Sequence, residues 1–398
     1  MTGESVSTPQ ESPARASDWE PIGVAAAQVA QLFARARTEH RVPWSEQVGG
    51  FWSLVRHDDI LEACMHPEIF SSAPQFSVPA LDIGIPWLPI QADPPNHSTY
   101  RGVLRPYLTR KRVLGLEPEM RELARQVISA FDGQSGIDAV SDFADRFSAL
   151  TLCRTLNMPS DHWELFRRWA YDINTASSEN DMALFGQVVG EVFAYVDREV
   201  ELRTAEPGDD LMSALLQTEV EGRSLTVEEL RGYYMLLISA GHDTVANTLA
   251  QVVFHLARHP EHRERLTADS SLIPAAVEEI IRFYPPLLAL GRQVVQDTER
   301  FGCPMRAGDQ VALVWGSATR DEQHFDRADE FVLDRQLNDH IAFGHGVHFC
   351  IGAELARVQL RVATEELLAA HPHFALSGEL SQTTWPTNGH RTLTITFD

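Results

Sequence analysis

The segment from Phe343 to Gly352 (FGHGVHFCIG) places one cysteine, Cys350, in a loop that contains three glycines. A run typical of a helix follows directly, from 353 to 369. Glycine permits the tight turns with which a backbone approaches a flat, bulky group. A thiolate at position 350 would lie at a helix N-terminus, where free N–H groups and the helix dipole stabilise negative charge. The residues therefore indicate either an axial sulfur ligand for iron or a buried structural cysteine, which is the usual role of a lone cysteine.

The same segment fills every fixed position of F-G-x-G-x-[HR]-x-C-x-G, and in this it resembles the haem-binding signature of the cytochrome P-450 family. The resemblance implies a mainly α fold with small β-sheets, a single large domain with haem between a long central helix and the cysteine loop. The cofactor would be haem b, iron protoporphyrin IX, with Cys350 as the axial iron ligand. Gly352 belongs to the same signature, and Phe343 would lie against the cysteine side of the haem.

Length and composition are compatible with one large domain. A chain of 398 residues could hold two or three domains, but it contains no long Gly/Ser or Pro linker. We therefore expect a haem domain over residues 19–398. Residues 1–18 are polar and rich in Ser, Pro and Glu, and we expect a disordered tail there.

Charge and cysteine usage exclude several classes of function. The formal net charge of -23 makes nucleic acid an improbable partner. No apolar run approaches the roughly twenty residues that a membrane span needs. Cys64, Cys153 and Cys303 are dispersed and form no CxxC pair, so we assign them to packing and expect a reducing, cytoplasmic location. The resemblance is accordingly to the soluble bacterial type, and we expect a monomer.

The chain before the cysteine loop divides into recognisable regions. Segment 43–64 has β-like stretches around Gly49 and Gly50. Segment 71–95 carries six prolines and predicts a loop, which in the family lies over the substrate. Helical patterns dominate from about 95 to 268, with a break at 175–180 that in the family joins two helices of a movable lid.

One long helix is predicted between Thr226 and His259, with a capping box formed with Glu229 and a stop at Pro260. Within its apolar middle stand Gly241, Asp243 and Thr244, each costly in a buried helix. On the residues alone, a kink with the threonine hydroxyl bonded back to a carbonyl is the simpler interpretation.

The five residues Ala240-Gly-His-Asp-Thr244 also resemble the family's oxygen-activation motif, [AG]-G-x-[DE]-T. The resemblance implies that Gly241 opens the helix for O2, which would be the co-substrate. Thr244 would donate a hydrogen bond to the oxygen, and Asp243 would relay protons to it.

Glu279 and Arg282 are neighbours on one helix face at spacing i,i+3. An aromatic residue and Pro-Pro follow them, and the segment resembles the family's E-x-x-R motif. The resemblance implies a structural ion-pair triad completed by Arg335.

The family also implies cations for the haem propionates. His97 and Arg101, at spacing i,i+4, can reach one target from the same helix. Arg292 and His348 stand at matching positions after Pro-Pro and before the cysteine. Taken singly, each would be interpreted as a surface cation.

By the same analogy, a mostly apolar pocket would hold a small or medium hydrophobic substrate. Ordinary loop packing is an equal alternative for its members in the proline-rich segment. The assigned side chains are those of Phe76, Val78, Leu81, Ile83, Trp87, Leu236, Ser239, Ala240, Leu288, Leu290 and the loop 385–388.

The chain ends fewer than fifty residues after Cys350, so we expect electrons to come from separate proteins. For similar proteins these are a ferredoxin and an NAD(P)H-dependent ferredoxin reductase. A basic face on the cysteine side would dock the ferredoxin; a solvated helix face is the alternative interpretation. Its members would be Arg101, Arg105, Arg110, Lys111, Arg112, Arg357 and Arg361.

The leading hypothesis is a haem-thiolate monooxygenase that inserts one atom of O2 into its substrate. An alternative is a peroxygenase that uses hydrogen peroxide directly, although such relatives tend to lack the acid–threonine pair. Another is a non-catalytic haem-thiolate sensor or binding protein. Retention of Asp243 and Thr244 counts against both alternatives.

Overall fold

The computed structural model describes residues 18–179 and 181–397. The predicted N-terminal tail therefore lies almost wholly outside the described residues. Within them the chain is mainly helical, with small sheets in a single domain, as predicted. In chain order the α-helices are α1 (Ala26–Glu39), α2 (His57–Cys64), α3 (His97–Leu104), α4 (Arg110–Gly115), α5 (Glu117–Ser129), α6 (Asp145–Thr155), α7 (Trp163–Glu179), α8 (Met182–Ala205), α9 (Leu211–Leu216), α10 (Val227–Arg258), α11 (Pro260–Ala268), α12 (Ile273–Phe283), α13 (Trp315–Ala318) and α14 (Ala353–Ala370).

The strands form two larger sheets and two hairpins. They are β1 (Trp44–Ser45), β2 (Phe51–Leu54), β3 (Phe70–Ser71), β4 (Gly136–Asp138), β5 (Glu219–Val220), β6 (Arg223–Ser224), β7 (Leu290–Val294), β8 (Thr298–Arg300), β9 (Cys303–Met305), β10 (Gln310–Leu313), β11 (Phe374–Gln382) and β12 (His390–Phe397). One sheet has the order β1-β2-β10-β7-β3, with β2 and β10 parallel and Val311 opposite Trp52. The other has the order β11-β12-β4, and β5–β6 and β8–β9 are the hairpins.

Helix α10 runs through the centre of the molecule. It begins at the predicted capping box, in which Thr226 and Glu229 bond to each other's backbone, and it ends before Pro260. Its first half packs into the apolar cluster that contains Tyr233, and its second half into the cluster that contains Leu249. Because both halves are buried, the helix is apolar on most faces rather than amphipathic.

Two glycines of α10 explain how closely other elements approach it. A side chain at Gly232 would overlap the carbonyl oxygen of Pro86, so the proline-rich loop lies directly on the helix. A Cβ at Gly241 would come within 2.8 Å of the Leu152 side chain on α6. Gly241 therefore serves helix packing in this structure, and the α-helix continues through it.

Some predicted elements differ from the structure. Helix α7 continues to Glu179, through most of the predicted break at 175–180. The strand Gly136–Asp138 and the hairpin of Glu219–Val220 with Arg223–Ser224 interrupt the region predicted as helical. These strands are at most three residues long, too short for an alternation of polar and apolar residues to indicate them, and Gly136–Asp138 pairs with a distant strand. Cys64, Cys153 and Cys303 are buried and form no disulfide among the described residues, as expected for packing residues.

Candidate active site

The cysteine loop is held in shape by its glycines. Gly344 and Gly346 have φ angles of 73° and 68°, a left-handed conformation that only glycine adopts readily. A Cβ at Gly346 would lie 2.5 Å from the carbonyl oxygen of Cys64, so the loop packs against the end of α2. The backbone N–H of Cys350 donates to the carbonyl of Phe343 at 2.8 Å. The loop thus folds back on itself and presents the thiol from a rigid turn.

The thiol of Cys350 lies beside Gly352, the N-cap of α14, whose backbone N–H donates a hydrogen bond to the sulfur. Burial raises the pKa of this thiol, while that hydrogen bond and the charges of Arg101 and Arg357 oppose the rise. The side chain nevertheless keeps accessible surface. The Cys350 side chain is surrounded by protein but can still be reached from outside, and an N–H group and two cations lie nearby. Such surroundings suit a thiolate that binds a metal.

Arginines connect the cysteine loop to its surroundings. Arg101 on α3 donates to the carbonyl of Phe349 at 2.5 Å. The guanidinium of Arg357 lies 4.6 Å from the ring centroid of Phe343 and donates to Glu278 at 2.7 Å. Although burial opposes it, hydrogen bonds from basic neighbours, among them Arg357, lower the pKa of Glu278 to about 2.

The four predicted propionate ligands come together beside this loop. The rings of His97 and His348 are 4.5 Å apart. The pKa of His348 is lowered to about 2, first by burial and then by the charges of Arg292, His97 and Arg101. Arg292 is buried, and its guanidinium donates to the carbonyl of Gly291 at 2.7 Å. Such converging basic groups fit a cofactor that carries two carboxylates, as haem does.

Helix α10 carries the acid and the alcohol. The Thr244 hydroxyl donates to the carbonyl of Ala240 at 2.9 Å, the bond that the residues alone predicted. Both carboxylate oxygens of Asp243 are engaged: Oδ1 contacts His242 Nδ1 at 3.0 Å, and Oδ2 accepts a hydrogen bond from the Asn174 amide on α7.

His242 was not singled out by the sequence, although it stands inside the motif. It is 1% exposed, and its Nε2 lies 3.1 Å from the carbonyl oxygen of Asp145. Burial lowers its pKa, but the hydrogen bond to Asp243 and the charges of Asp243 and Asp145 outweigh burial, so the pKa is raised. The signal that could have identified His242 is its position as a polar residue on a face of α10 that is otherwise apolar and buried. Asn174 had no such signal, because only the packing of α7 on α10 brings it to Asp243.

A partly open cavity of about 60 Å³, lined by both polar and apolar groups, adjoins Asp243. Burial raises the pKa of Asp145 in its wall and lowers that of His390 to about 4. The cavity therefore brings titratable groups and space for water to the acid. Its lining residues are Val140, Asp145, Tyr171, Asn174, Thr175, Asp243, Ala246, Asn247, Thr383, Thr387, His390 and Arg391.

The predicted triad forms a network in which Glu279 and Arg282 are fully buried and Arg335 is largely buried. Arg282 donates twice to the Glu279 carboxylate, each time at 2.8 Å, and Arg335 donates to it at 3.0 Å. The backbone N–H of Val332 and the amide of Asn338 supply two further hydrogen bonds, at 2.8 and 3.1 Å. The network joins α12 to the segment that precedes the cysteine loop.

The residues assigned to the substrate pocket separate into two groups. Val78 and Leu288 are 2% exposed and belong to the apolar cluster around Phe33 and Trp385, so they pack under the first sheet. Phe76 and Trp87 are buried among the helices, with Leu81 and Ile83 beside them. Leu236, Ser239, Ala240 and Leu290 keep accessible surface. Of the residues assigned to the pocket, Leu236, Ser239, Ala240 and Leu290 are therefore the ones placed to contact a substrate without rearrangement.

Several cations of the predicted docking face are already paired within the chain. Arg357 bonds to Glu278, and Arg361 donates to Glu117 at 2.6 Å. Arg105 and Lys111 are exposed. Arg110 lies 3.6 Å from Glu354, and Arg112 donates to Asn157 at 3.3 Å.

Comparison with known proteins agrees with this geometry. A family model described as Cytochrome P450 matches residues 178–379. A methyl-branched lipid omega-hydroxylase of Mycobacterium tuberculosis is 35% identical over 87% of this chain and 84% of its own length. Linalool 8-monooxygenase of Pseudomonas putida is 30% identical over 87% of this chain and 89% of its own length.

Solved structures show the same fold. A Mycobacterium marinum cytochrome P450 in complex with pseudoionone superposes with a TM-score of 0.87, at 27% identity over 95% of this chain and 96% of that one. A Bacillus megaterium cytochrome P450 in complex with testosterone superposes with a TM-score of 0.85, at 28% identity over 93% of this chain and 97% of that one. Among the described residues, no helix has the length and apolarity to cross a membrane. The chain belongs to the cytochrome P450 family and is a monooxygenase of that family.

Proposed function

We propose that this chain inserts one oxygen atom of O2 into an apolar substrate, using haem b bound through Cys350. The observation that carries the proposal is the accessible Cys350 thiol beside a cluster of basic side chains, with an acid–alcohol pair on the central helix. Haem would bind and activate O2, and electron donation from the thiolate would favour O–O cleavage. Two electrons and two protons balance the reaction, giving the oxygenated product and water.

The side chains that would hold the haem are those already gathered around the cysteine loop. The Cys350 thiolate would bind the iron, and the Gly352 N–H would moderate its electron donation. Phe343 would lie on the cysteine side. His97, Arg101, Arg292 and His348 would bind the propionates, because they are the basic groups that converge there.

Asp243 and Thr244 would move protons toward the oxygen. Water in the adjoining cavity can reach Asp243, whose carboxylate is held by His242 and Asn174. Transfer requires the carboxylate to release Asn174 and turn toward the Thr244 hydroxyl. That hydroxyl is bonded to the Ala240 carbonyl and must rotate to donate elsewhere. The pair therefore works as a relay with two short side-chain rotations.

The substrate would be a small or medium apolar molecule. Leu236 and Ala240 offer accessible apolar surface about two turns and one turn before Thr244 on α10, and Leu290 offers such surface on β7. The relatives named for linalool and methyl-branched lipids suggest branched, flexible compounds as the first to test. A ligand that binds over the haem shifts the ferric spectrum, so a panel of such compounds can be screened by absorbance.

Electrons would arrive from a small acidic ferredoxin. Because Arg357 and Arg361 are paired within the chain, the docking face would depend chiefly on Arg105, Arg110, Lys111 and Arg112. Steering between exposed charges weakens with salt. We expect Arg112→Glu to slow reduction by ferredoxin several-fold at low salt and much less at high salt. A reduction rate indifferent to both changes would refute the docking face.

The relay is tested by Thr244→Ala and Asp243→Asn in haem-loaded protein. Both variants should keep the thiolate-type absorption of the reduced, carbon monoxide-bound form and should bind substrate normally. Both should convert a larger share of consumed NADH into hydrogen peroxide, with at least ten-fold less product per electron. Thr248→Ala, one turn further along, is the matched control, because its hydroxyl also bonds to the carbonyl four residues earlier.

Unchanged coupling in Thr244→Ala and Asp243→Asn would refute the relay. Turnover with peroxide but none with electron donors and O2 would instead identify a peroxygenase.

A further inference from the structure

Three histidines and a glutamate meet where α10 ends and α11 begins, on a part of α10 that the proposed chemistry does not use. His259, Glu261 and His262 each offer a ligand atom, and these atoms lie within 4.8 Å of one another. His259 Nδ1 is 3.2 Å from Glu261 Oε1. From the buried side, His255 Nε2 lies 2.9 Å from His262 Nδ1. We propose that this cluster is a binding site for a divalent transition-metal ion of the zinc type.

The backbone makes the cluster rigid before any ion binds. His259 is both the last cap of α10 and the first cap of α11, and Pro260 enforces the change of direction. The N–H groups of His262 and Arg263 both donate to the His259 carbonyl, at 3.0 and 3.2 Å. A site on such a turn loses little conformational entropy when it closes around an ion. Imidazole and carboxylate ligands together suit Zn²⁺, and also Ni²⁺ and Cu²⁺.

His255 supplies the outer support that metal-binding histidines commonly have. It is 1% exposed, so its ring is held in place by the surrounding protein. Its Nδ1 faces the Tyr284 hydroxyl at 3.5 Å, and in the tautomer with the proton on Nδ1 its Nε2 is a hydrogen-bond acceptor. His262 can then donate its Nδ1–H to His255 and direct the lone pair of Nε2 outward. Such partners orient the ligating ring and raise its basicity.

The ion would enter from solvent. The side chains of His259 and Glu261 are 41% and 65% exposed. The nearby charge of Arg265 opposes a cation, but its guanidinium pairs with Asp334 at 3.2 Å. His255 is thus the positioning residue, and the other three are the ligands.

The test is calorimetric titration of the haem-loaded protein with ZnCl2, combined with metal analysis after dialysis. Wild type should bind one equivalent with a micromolar or tighter Kd. His262→Gln and His259→Asn should each weaken binding at least ten-fold. His66→Gln is the matched control, because His66 also contacts a glutamate, Glu68, at 2.7 Å, and it should leave the Kd unchanged. No stoichiometric site, or one unaffected by His262→Gln, would overturn the proposal.

Two further variants separate the parts of the site. His255→Gln should weaken Zn²⁺ binding about ten-fold through loss of orientation. Its fold is checked by the reduced, carbon monoxide-bound spectrum, and an unchanged Kd would refute the positioning role. The stacked pair His57 and His324 offers a competing cluster with Asp58. Loss of binding in His324→Gln, with retention in His262→Gln, would move the site there and refute the proposal.

Discussion

The buried network around Glu279 permits a graded prediction for its two arginines. Arg282 makes two hydrogen bonds to the Glu279 carboxylate and donates to three carbonyl oxygens, those of Thr319, Ala328 and Glu330, at 2.8 to 2.9 Å. Removing the Arg282 side chain leaves the buried Glu279 carboxylate without its bidentate partner and leaves the three carbonyl oxygens without this donor. Breaking one side of such a buried pair costs about 3–5 kcal/mol. We therefore expect Arg282→Met to lower the free energy of unfolding by that amount.

Arg335 makes one hydrogen bond to the same carboxylate, and its side chain is 9% exposed. Its removal leaves the Glu279–Arg282 pair neutral and bidentate. The loss is then that of hydrogen bonds to a charged group and to carbonyls, about 1.5–3 kcal/mol. Arg265→Met is the control, because the Arg265–Asp334 pair is about half exposed on both sides and should cost less than about 1 kcal/mol.

The assay is urea unfolding of the three haem-loaded variants, followed by circular dichroism and by the thiolate-type carbon monoxide spectrum. The expected order of destabilisation is Arg282→Met, then Arg335→Met, then Arg265→Met. A midpoint for Arg282→Met equal to that of Arg265→Met would refute the argument. So would a larger loss for Arg335→Met than for Arg282→Met, because the bond count predicts the reverse.

Three further predictions rest on single residues. Gly232→Ala should lower the free energy of unfolding by about 1–3 kcal/mol, because the added Cβ would overlap backbone atoms. Gly186→Ala on α8, where the added Cβ meets open space, should stabilise the protein slightly. Equal effects of the two substitutions in thermal unfolding would refute the packing argument. Because the pKa of Glu278 falls from 4.5 to about 2 on folding, its contribution to stability is complete above pH 4.5 and is lost as the pH falls toward 2. Glu278→Gln should therefore flatten the acid limb of the stability profile, and an unchanged limb would contradict this. Arg292→Met should speed haem transfer to apomyoglobin at least ten-fold, since a buried cation that binds a carboxylate is lost; an unchanged rate would remove Arg292 from the haem site.

The sequence predicted those helix ends and turns that are determined by residues close by in the chain. The α10 boundaries followed from Thr226, Glu229 and Pro260, because a capping box and a proline act within one turn. The turn before α14 followed from its glycines for the same reason. The short strand Gly136–Asp138 did not, because its partner β12 lies more than 250 residues further along the chain.

Side-chain partners were harder to predict than elements. Arg357 and Arg361 looked available for docking, yet each pairs with a glutamate from another helix or an adjacent turn. Val78 and Leu288 looked like pocket residues, but the packing of α1 against the first sheet buries them. In each instance the residue type indicated the chemistry correctly. The direction in which the side chain points depended on which helices and strands pack together. An amino-acid pattern does not contain that information.

Polar residues on α10 show where this limit lies. Thr244, Thr248, Gln251 and His255 are spaced by four, three and four residues, so they share one face of the helix. In a water-poor core each polar group needs a partner. The two threonines bond to carbonyls of their own helix, whereas Gln251 and His255 bond to residues beyond it. A motif can encode the first kind of partner, because its atoms lie within the motif. It cannot encode the second, which is why a continuous polar face was recognised at its threonine end and overlooked at its histidine end.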